Sequence, residues 1–385
     1  SIALNTIFAE AADTAVSLAP DDPQTHYTIA VLSERVFSDE NVRKSIAEYE
    51  RATALTPNDF RTWLALGKAR EHGDDAAGAE KALRRALELA PNYSEVRWIL
   101  GNVLLRRGKT DEAFDELRRA AETSADFASP TVSTAWQMFD GDLEKINRYL
   151  GDAPTIKSAL VAYLMRAKRF DEAVQIWNTL SADDKRATFR VNSDALFNQL
   201  TQAKKYRAAL QITTQLNDFS PEKPAVGRIY NGSFEDDVKT SGANFFAWQI
   251  QDGAQPQIGV DASQKHGGGH SLTVVFNSVA GRDFRSVSQT IAVESGAKYA
   301  FQSFYKSQLK TAATLRWEIA DAADGRVLAQ TAPVDAASDW TNLKTEFVVP
   351  ANSEAVVVRL AREVCKTTLC PISGRVWFDD LSISQ

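Results

Sequence analysis

At 385 residues, of which 44% are hydrophobic, the chain is long enough to bury two cores. Its net charge of −6 is shared by both halves, so neither carries the basic excess that nucleic acid would require. No apolar run approaches the ~18 residues of a membrane-crossing helix.

Near the N-terminus a pattern returns every 34 positions: Leu32, Leu66 and Leu100; Tyr49, Leu83 and Leu117; Ala52, Ala86 and Ala120; Pro57 and Pro91. Such a period predicts stacked helix-turn-helix units. Gly67 and Gly101, with Ala79 and Ala113, mark where the two helices of a hairpin approach closely. Pro91 has no amide hydrogen and restricts the residue before it, which ends the second helix. One unit cannot bury its apolar face alone, so neighbours must stack. Beyond Phe127 the period slips, but Lys168-Arg169-Phe170-Asp171-Glu172-Ala173 and Lys205-Tyr206-Arg207-Ala208-Ala209 repeat the logic of Lys109-Thr110-Asp111-Glu112-Ala113, and Ala209 follows Ala173 by 36 residues. Thr131 to Gly151 reads as an irregular helical pair. About six hairpins are expected, the first and last degenerate.

This half resembles the tetratricopeptide repeat. The copy from Phe60 to Tyr93 carries Trp63, Leu66, Gly67, Ala79, Leu83, Ala86 and Pro91 at the family's positions; the next keeps Leu100, Gly101, Ala113, Leu117 and Ala120 but has Ala125 where proline is usual. The resemblance implies an all-α solenoid whose first helices line a groove for a protein or peptide. By register, the groove side chains are Tyr27, Glu34 and Phe37, then Arg61, Leu64, Lys68 and Glu71, then Glu95, Trp98, Asn102 and Leu105. Tyr27 and Trp98 would anchor an apolar side chain, and Arg61, Lys68 and Asn102 a peptide backbone or carboxylate. The alternative is an ordinary solvated helix face. The basic clamp that some family members use for acidic tails is absent as a set.

At Phe219-Ser220-Pro221-Glu222-Lys223-Pro224 the composition changes. Two prolines mark a linker, placing a helical domain over 1–220, a linker over 221–225 and a second domain over 226–385. Alternating runs predict strands at 271–276, 284–293, 298–305, 314–319, 343–349, 355–360 and 375–383, an all-β sandwich. The opening Asn231-Gly232-Ser233-Phe234-Glu235, Trp248, a Gly-rich turn before Ser271-Leu272 and the closing Trp377-Phe378-Asp379-Asp380-Leu381 resemble the jelly-roll carbohydrate-binding modules of families four, nine and twenty-two, a galactose-binding-like fold that also serves protein binding. That resemblance implies a structural calcium held by Glu235 and Asp380. Strict alternation would put Trp377, Asp379, Leu381 and Ile383 on one face and Phe378 with Asp380 on the other; the rival reading makes these turn and edge carboxylates. A sugar site needs exposed rings beside amide or charged groups. Phe284, Tyr305, Trp317 and Trp340 are its candidates, with Arg316, Gln289 and Gln302, whereas Trp248 and Trp377 are expected in the core. The turn Lys265-His266-Gly267-Gly268-Gly269-His270 lacks the context of a phosphate loop and is expected to be a flexible hairpin.

The only cysteines, Cys365 and Cys370, are close enough for a small disulfide loop, which together with an assumed processed N-terminus suggests an extracytoplasmic chain; two free thiols are the alternative. No nucleophile elbow, zinc-protease helix or dinucleotide fingerprint occurs, and Glu318 alone is weak support for glycoside hydrolysis. The sequence therefore predicts a non-catalytic adaptor without a catalytic cofactor: a protein- or peptide-binding solenoid joined to a sandwich that binds polysaccharide in envelope or exopolysaccharide assembly. A polysaccharide-degrading enzyme and a purely protein-binding scaffold are the rivals.

Overall fold

The structure is a computed structural model. It describes residue 14 and residues 17–385 apart from 37, 220–221, 240–241, 281–283, 312–314 and 364–368, and only the backbone of 278–280 and 369–370. Cys365 and Phe37 thus lie outside the described residues, as does the side chain of Cys370.

The helices described are α1 Pro23–Glu34, α2 Asp39–Leu55, α3 Phe60–His72, α4 Ala76–Leu89, α5 Ser94–Arg106, α6 Thr110–Thr123, α7 Ala128–Met138, α8 Leu143–Leu150, α9 Pro154–Arg166, α10 Phe170–Asn178, α11 Arg190–Gln202 and α12 Tyr206–Leu216. They pair in sequence as six hairpins, as the repeat pattern predicts. Local chemistry starts them: Asp22, Ser38, Asp59, Asp75 and Asp142 each accept a hydrogen bond from a first-turn N–H. Asp74, Gly108, Lys168 and Lys204, in the turns between paired helices, have φ of 59°, 72°, 59° and 61°, the left-handed geometry that closes the first helix of each pair.

The small residues of the register are where the helices touch. A Cβ on Gly67 would lie 2.6 Å from Leu83 Cγ, and one on Gly101 2.7 Å from Leu117 Cγ. Ala79, Leu83, Leu100, Ala113 and Leu117 are all fully buried. Gly67→Leu is therefore expected to lower stability by roughly 1–3 kcal/mol through overpacking; an unchanged urea midpoint would contradict the close approach.

The strands are β1 Gln249–Ile250, β2 Gln257–Asp261, β3 Ser271–Ala280, β4 Val287–Ala292, β5 Lys298–Thr311, β6 Leu315–Asp321, β7 Val327–Gln330, β8 Ala337–Val348, β9 Ala355–Arg362 and β10 Leu369–Ser384. They form two five-stranded antiparallel sheets ordered β1-β4-β9-β6-β7 and β2-β3-β10-β5-β8. Between them lies one core containing Phe234, Trp248, Phe301, Tyr305, Trp317 and Phe378. Every predicted strand is present. The three missed, β1, β2 and β7, are short and lie at sheet edges, where one-sided contact leaves little alternation to read.

The packing divides the chain after Leu180, earlier than the proline-marked segment, into units 1–180 and 181–385. The reason is that the last hairpin packs on the sandwich. Tyr206 Oη donates to Ala322 O at 3.3 Å, Lys204 Nζ to Ala323 O at 2.5 Å, and Arg207 pairs with Glu294 at 2.6 Å. Phe245 receives the rings of Phe197 and Tyr206 at 5.8 and 6.2 Å. The helical register reports only contacts inside a hairpin, so it could not tell which neighbour the outer face would choose.

Candidate functional site

In the helical unit, the first-helix side chains that the repeat register puts in the groove are largely engaged with one another. Lys68 pairs with Glu95 at 2.6 Å and Arg106 with Glu71, stitching α3 to α5. Trp98 stacks on Phe127 at 5.4 Å, and Asn102 Nδ2 donates to Trp98 O at 2.8 Å. Tyr27 packs edge-on against Tyr49, whose hydroxyl donates to Glu34 at 3.3 Å. Arg61 is exposed, with its guanidinium over the Phe60 ring. Leu64 is buried at 8% exposure and belongs to the core between hairpins.

The sandwich corrects the sugar-site expectation. Tyr305 and Trp317 are 1% and 0% exposed. Trp317 packs among Trp248, Phe301 and Phe378, and Tyr305 Oη donates to Asp335 at 3.3 Å. Both lie on inward phases of their strands with Phe301 and Ile319, so neither can stack on a ligand. Gln289 is likewise buried, clamping the backbone N–H and C=O of Tyr230. The surviving candidates part company. Trp340 is on the second sheet, edge-on to His266, while Arg316 is on the outer face of the first.

On that first face the polar side chains form a row. Arg316 Nη1 donates to Gln330 Oε1 at 3.2 Å, Gln330 Nε2 to Glu318 Oε1 at 2.7 Å, and Arg359 Nε to Glu318 Oε2 at 3.0 Å. A second Arg316 nitrogen reaches Glu363 at 3.0 Å. Phe284 is half-buried, parallel to Phe276 with ring centres 6.3 Å apart. The Ser286 hydroxyl bonds Leu360 O at 2.5 Å, which sets the Phe284–Ser286 segment against the end of β9 that pairs with Arg316 and Trp317. Arg359 and Gln330 escaped the sequence reading because isolated polar residues on a strand give no periodic signal.

The Gly-rich turn is tied down. Glu235 accepts from Gly269 N at 2.8 Å and lies 3.2 Å from His270 Nδ1; Asp380 lies 2.7 Å from His266 Nδ1. The Gly269 N–H and the His270 imidazole hold the Glu235 carboxyl below its usual range. Asp379, fully buried, accepts from the N–H groups of His266, Gly267 and Asp380 at 2.8, 3.0 and 2.7 Å, and burial still pushes its carboxyl up. Glycine lets the carboxylates come this close: a Cβ at Gly268, whose φ is 57°, would sit 1.9 Å from Glu235 Oε1, and one at Gly267 2.8 Å from Asp380 Oδ2.

The strict alternation expected for the last strand does not hold. Asp379 pairs with Phe304 but Ser382 with Gln302, so β10 carries one extra residue, and Asp380 takes a φ of 48° at this bulge. Val376 and Phe378 before it, and Leu381 and Ile383 after it, all face the core. Trp377 is buried on the opposite face, donating to Asp261 at 2.8 Å. Glu235 and Asp380 do meet the same turn, and carboxylate oxygens around a glycine cradle suit calcium in kind. Among the described residues no group of three or more His, Cys, Asp or Glu could hold a metal ion, so backbone carbonyls or water would have to complete the shell.

Against this geometry, residues 226–366 match the family model of a carbohydrate binding domain, and residues 37–94 and 73–128 match the tetratricopeptide repeat. The chain joins tetratricopeptide repeats to a sandwich of the carbohydrate-binding kind. No curated protein matches it. Similar solved structures include MamA, at 18% identity over 42% of this chain and 89% of that one with a TM-score of 0.34. A CBM4 structure has 17% identity over 40% and 98%, TM-score 0.31. The C-terminal family 22 carbohydrate binding module of Clostridium thermocellum Xyn10B has 14% identity over 42% and 95%, TM-score 0.27. Both matched families are non-catalytic kinds of module, of which the carbohydrate-binding kind can also accompany an enzyme. No helix among the described residues is long and apolar enough to cross a membrane.

Proposed function

We propose that the protein is a non-catalytic adaptor: its repeats bind a protein or peptide and its sandwich binds a polysaccharide on the outer face of the first sheet. The observation that carries the reading is the Arg316–Gln330–Glu318–Arg359 row. Hydrogen bonds fix these groups before any ligand arrives, so little conformational freedom is left to lose on binding sugar hydroxyls. Arg359→Ala is expected to weaken glycan affinity about tenfold or more while leaving the fold intact. Titration of the full chain against the best ligand from a glycan array tests this. Unchanged affinity in Arg359→Ala would remove this face from the reading, and absence of any glycan ligand would favour the protein-binding scaffold. New reducing ends after incubation with polysaccharide would favour the enzyme.

The finer form of the reading is an extracytoplasmic scaffold for envelope or exopolysaccharide assembly, which requires that cell fractionation find the chain outside the cytoplasm. Calcium enters as a structural ion held by Glu235 and Asp380, which would lock the Gly-rich turn to both ends of the sandwich sequence. At a hundredfold excess over its dissociation constant it would add about 2.7 kcal/mol. Chelator is then expected to lower the melting temperature of wild type but not of Glu235→Ala; an equal response from both would remove the ion.

A further inference from the structure

The outer face of the second sheet carries a trough that shares only Asp380 with the reading above. Two hollows of about 540 and 440 Å³ share Gln302. Register builds the floor. Ser382, Gln302 and Lys344 stand side by side on β10, β5 and β8, and Ser384, Ala300 and Glu346 form the next row. Small and hydroxyl-bearing side chains keep this floor low, and the β10 bulge opens it. At one end the half-buried Phe304 ring is pinned by the His266 imidazole stacked on it at 3.8 Å. Arg228 lines the first hollow.

The charges of the trough are unequally committed. Glu346 pairs with Lys298 at 2.5 Å, Asp380 lies 2.7 Å from His266 Nδ1, and Glu222 accepts the Asn231 N–H at 3.2 Å. The side chains of Arg228, Lys344 and Gln302, by contrast, have no partner among the described residues. Two free cations flank a free amide and a row of hydroxyls, with one ring at the end. The three carboxylates of the trough are thus engaged while Arg228 and Lys344 stay open to a carboxylate, and the amide and hydroxyls offer hydrogen bonds suited to a polyhydroxylated ring.

We infer that this trough is a second glycan site, selective for carboxylate-bearing saccharides, that is, uronate polymers. It rests on the carbohydrate reading of the sandwich but not on the first-sheet site. The test is calorimetry of the full chain at about 0.1 M salt with hexamers of galacturonate, glucuronate and mannuronate, the same hexamers with carboxylates reduced to alcohols, and a poly-glutamate peptide. At least one uronate hexamer is expected to bind saturably and about tenfold tighter than its reduced form, with Arg228→Ala and Lys344→Ala each weakening it about tenfold. Both residues are exposed, and an unchanged near-ultraviolet spectrum will show that the variants fold. The proposal is overturned if none of the three uronates binds, if the reduced forms bind equally, or if poly-glutamate binds as tightly. Loss of uronate binding in Arg359→Ala with retention in both trough variants would move the anion to the first sheet, which overturns the trough and keeps the first-sheet reading.

Discussion

Trp317→Ala is expected to lower the stability of the second unit by roughly 3–5 kcal/mol, the cost of removing a large aromatic from a packed core. The ring is 0% exposed and packs against Trp248 and, from the second sheet, Phe301 and Phe378. Its indole N–H has no hydrogen-bond partner among the described residues, so Trp317→Phe, which keeps an aromatic ring and deletes that group, should cost much less. Glycan affinity per folded molecule should be unchanged in Trp317→Phe. Denaturant melts followed by near-ultraviolet circular dichroism, with affinity measured on the folded fraction, decide the point. A stable Trp317→Ala variant that had lost its ligand would return this residue to a binding role.

The second large effect is expected in the helical unit, at Glu80. This α4 carboxylate is 5% exposed and meets Arg84 Nε at 2.8 Å, Lys109 Nζ at 2.9 Å and Arg107. Burial alone would push the carboxyl up; hydrogen bonds from Lys109 and Arg84, and their charges, outweigh it and pull it down to about 2. In the unfolded chain a glutamate titrates near 4.3. The folded state therefore binds this proton less readily, and its stability advantage, about 3 kcal/mol, is complete above the unfolded value and is lost as pH falls through about 2. Glu80→Gln should be less stable than wild type at neutral pH, with the gap narrowing below about pH 4. A gap that stayed constant down to pH 2 would contradict the depressed carboxyl. Such a cluster also joins successive hairpins, because Arg107 and Lys109 lie in the turn between α5 and α6 while Glu80 lies on α4.

By itself the sequence determined the two architectures and most of their elements. The 34-residue register is set by steric demands that recur in every hairpin: glycine where Leu83 or Leu117 presses in, alanine where two helices cross, proline after the second helix. Those demands are local and leave a periodic trace. The same holds for the long strands, whose alternation is imposed by one face meeting the core. Only the tertiary structure decided which phase of an alternating strand faced inward, and so that Tyr305 and Trp317 are core while Phe304 is surface. It alone placed one extra residue in β10, which cancels the simple face assignment around Asp379 and Asp380 without any mark in the composition. Likewise it set the last hairpin against the sandwich, and it brought Arg316, Glu318, Gln330 and Arg359 into one row from β6, β7 and β9. Contacts of that kind join residues far apart in the chain, and the energy that selects them depends on surfaces that do not exist until both sheets have formed.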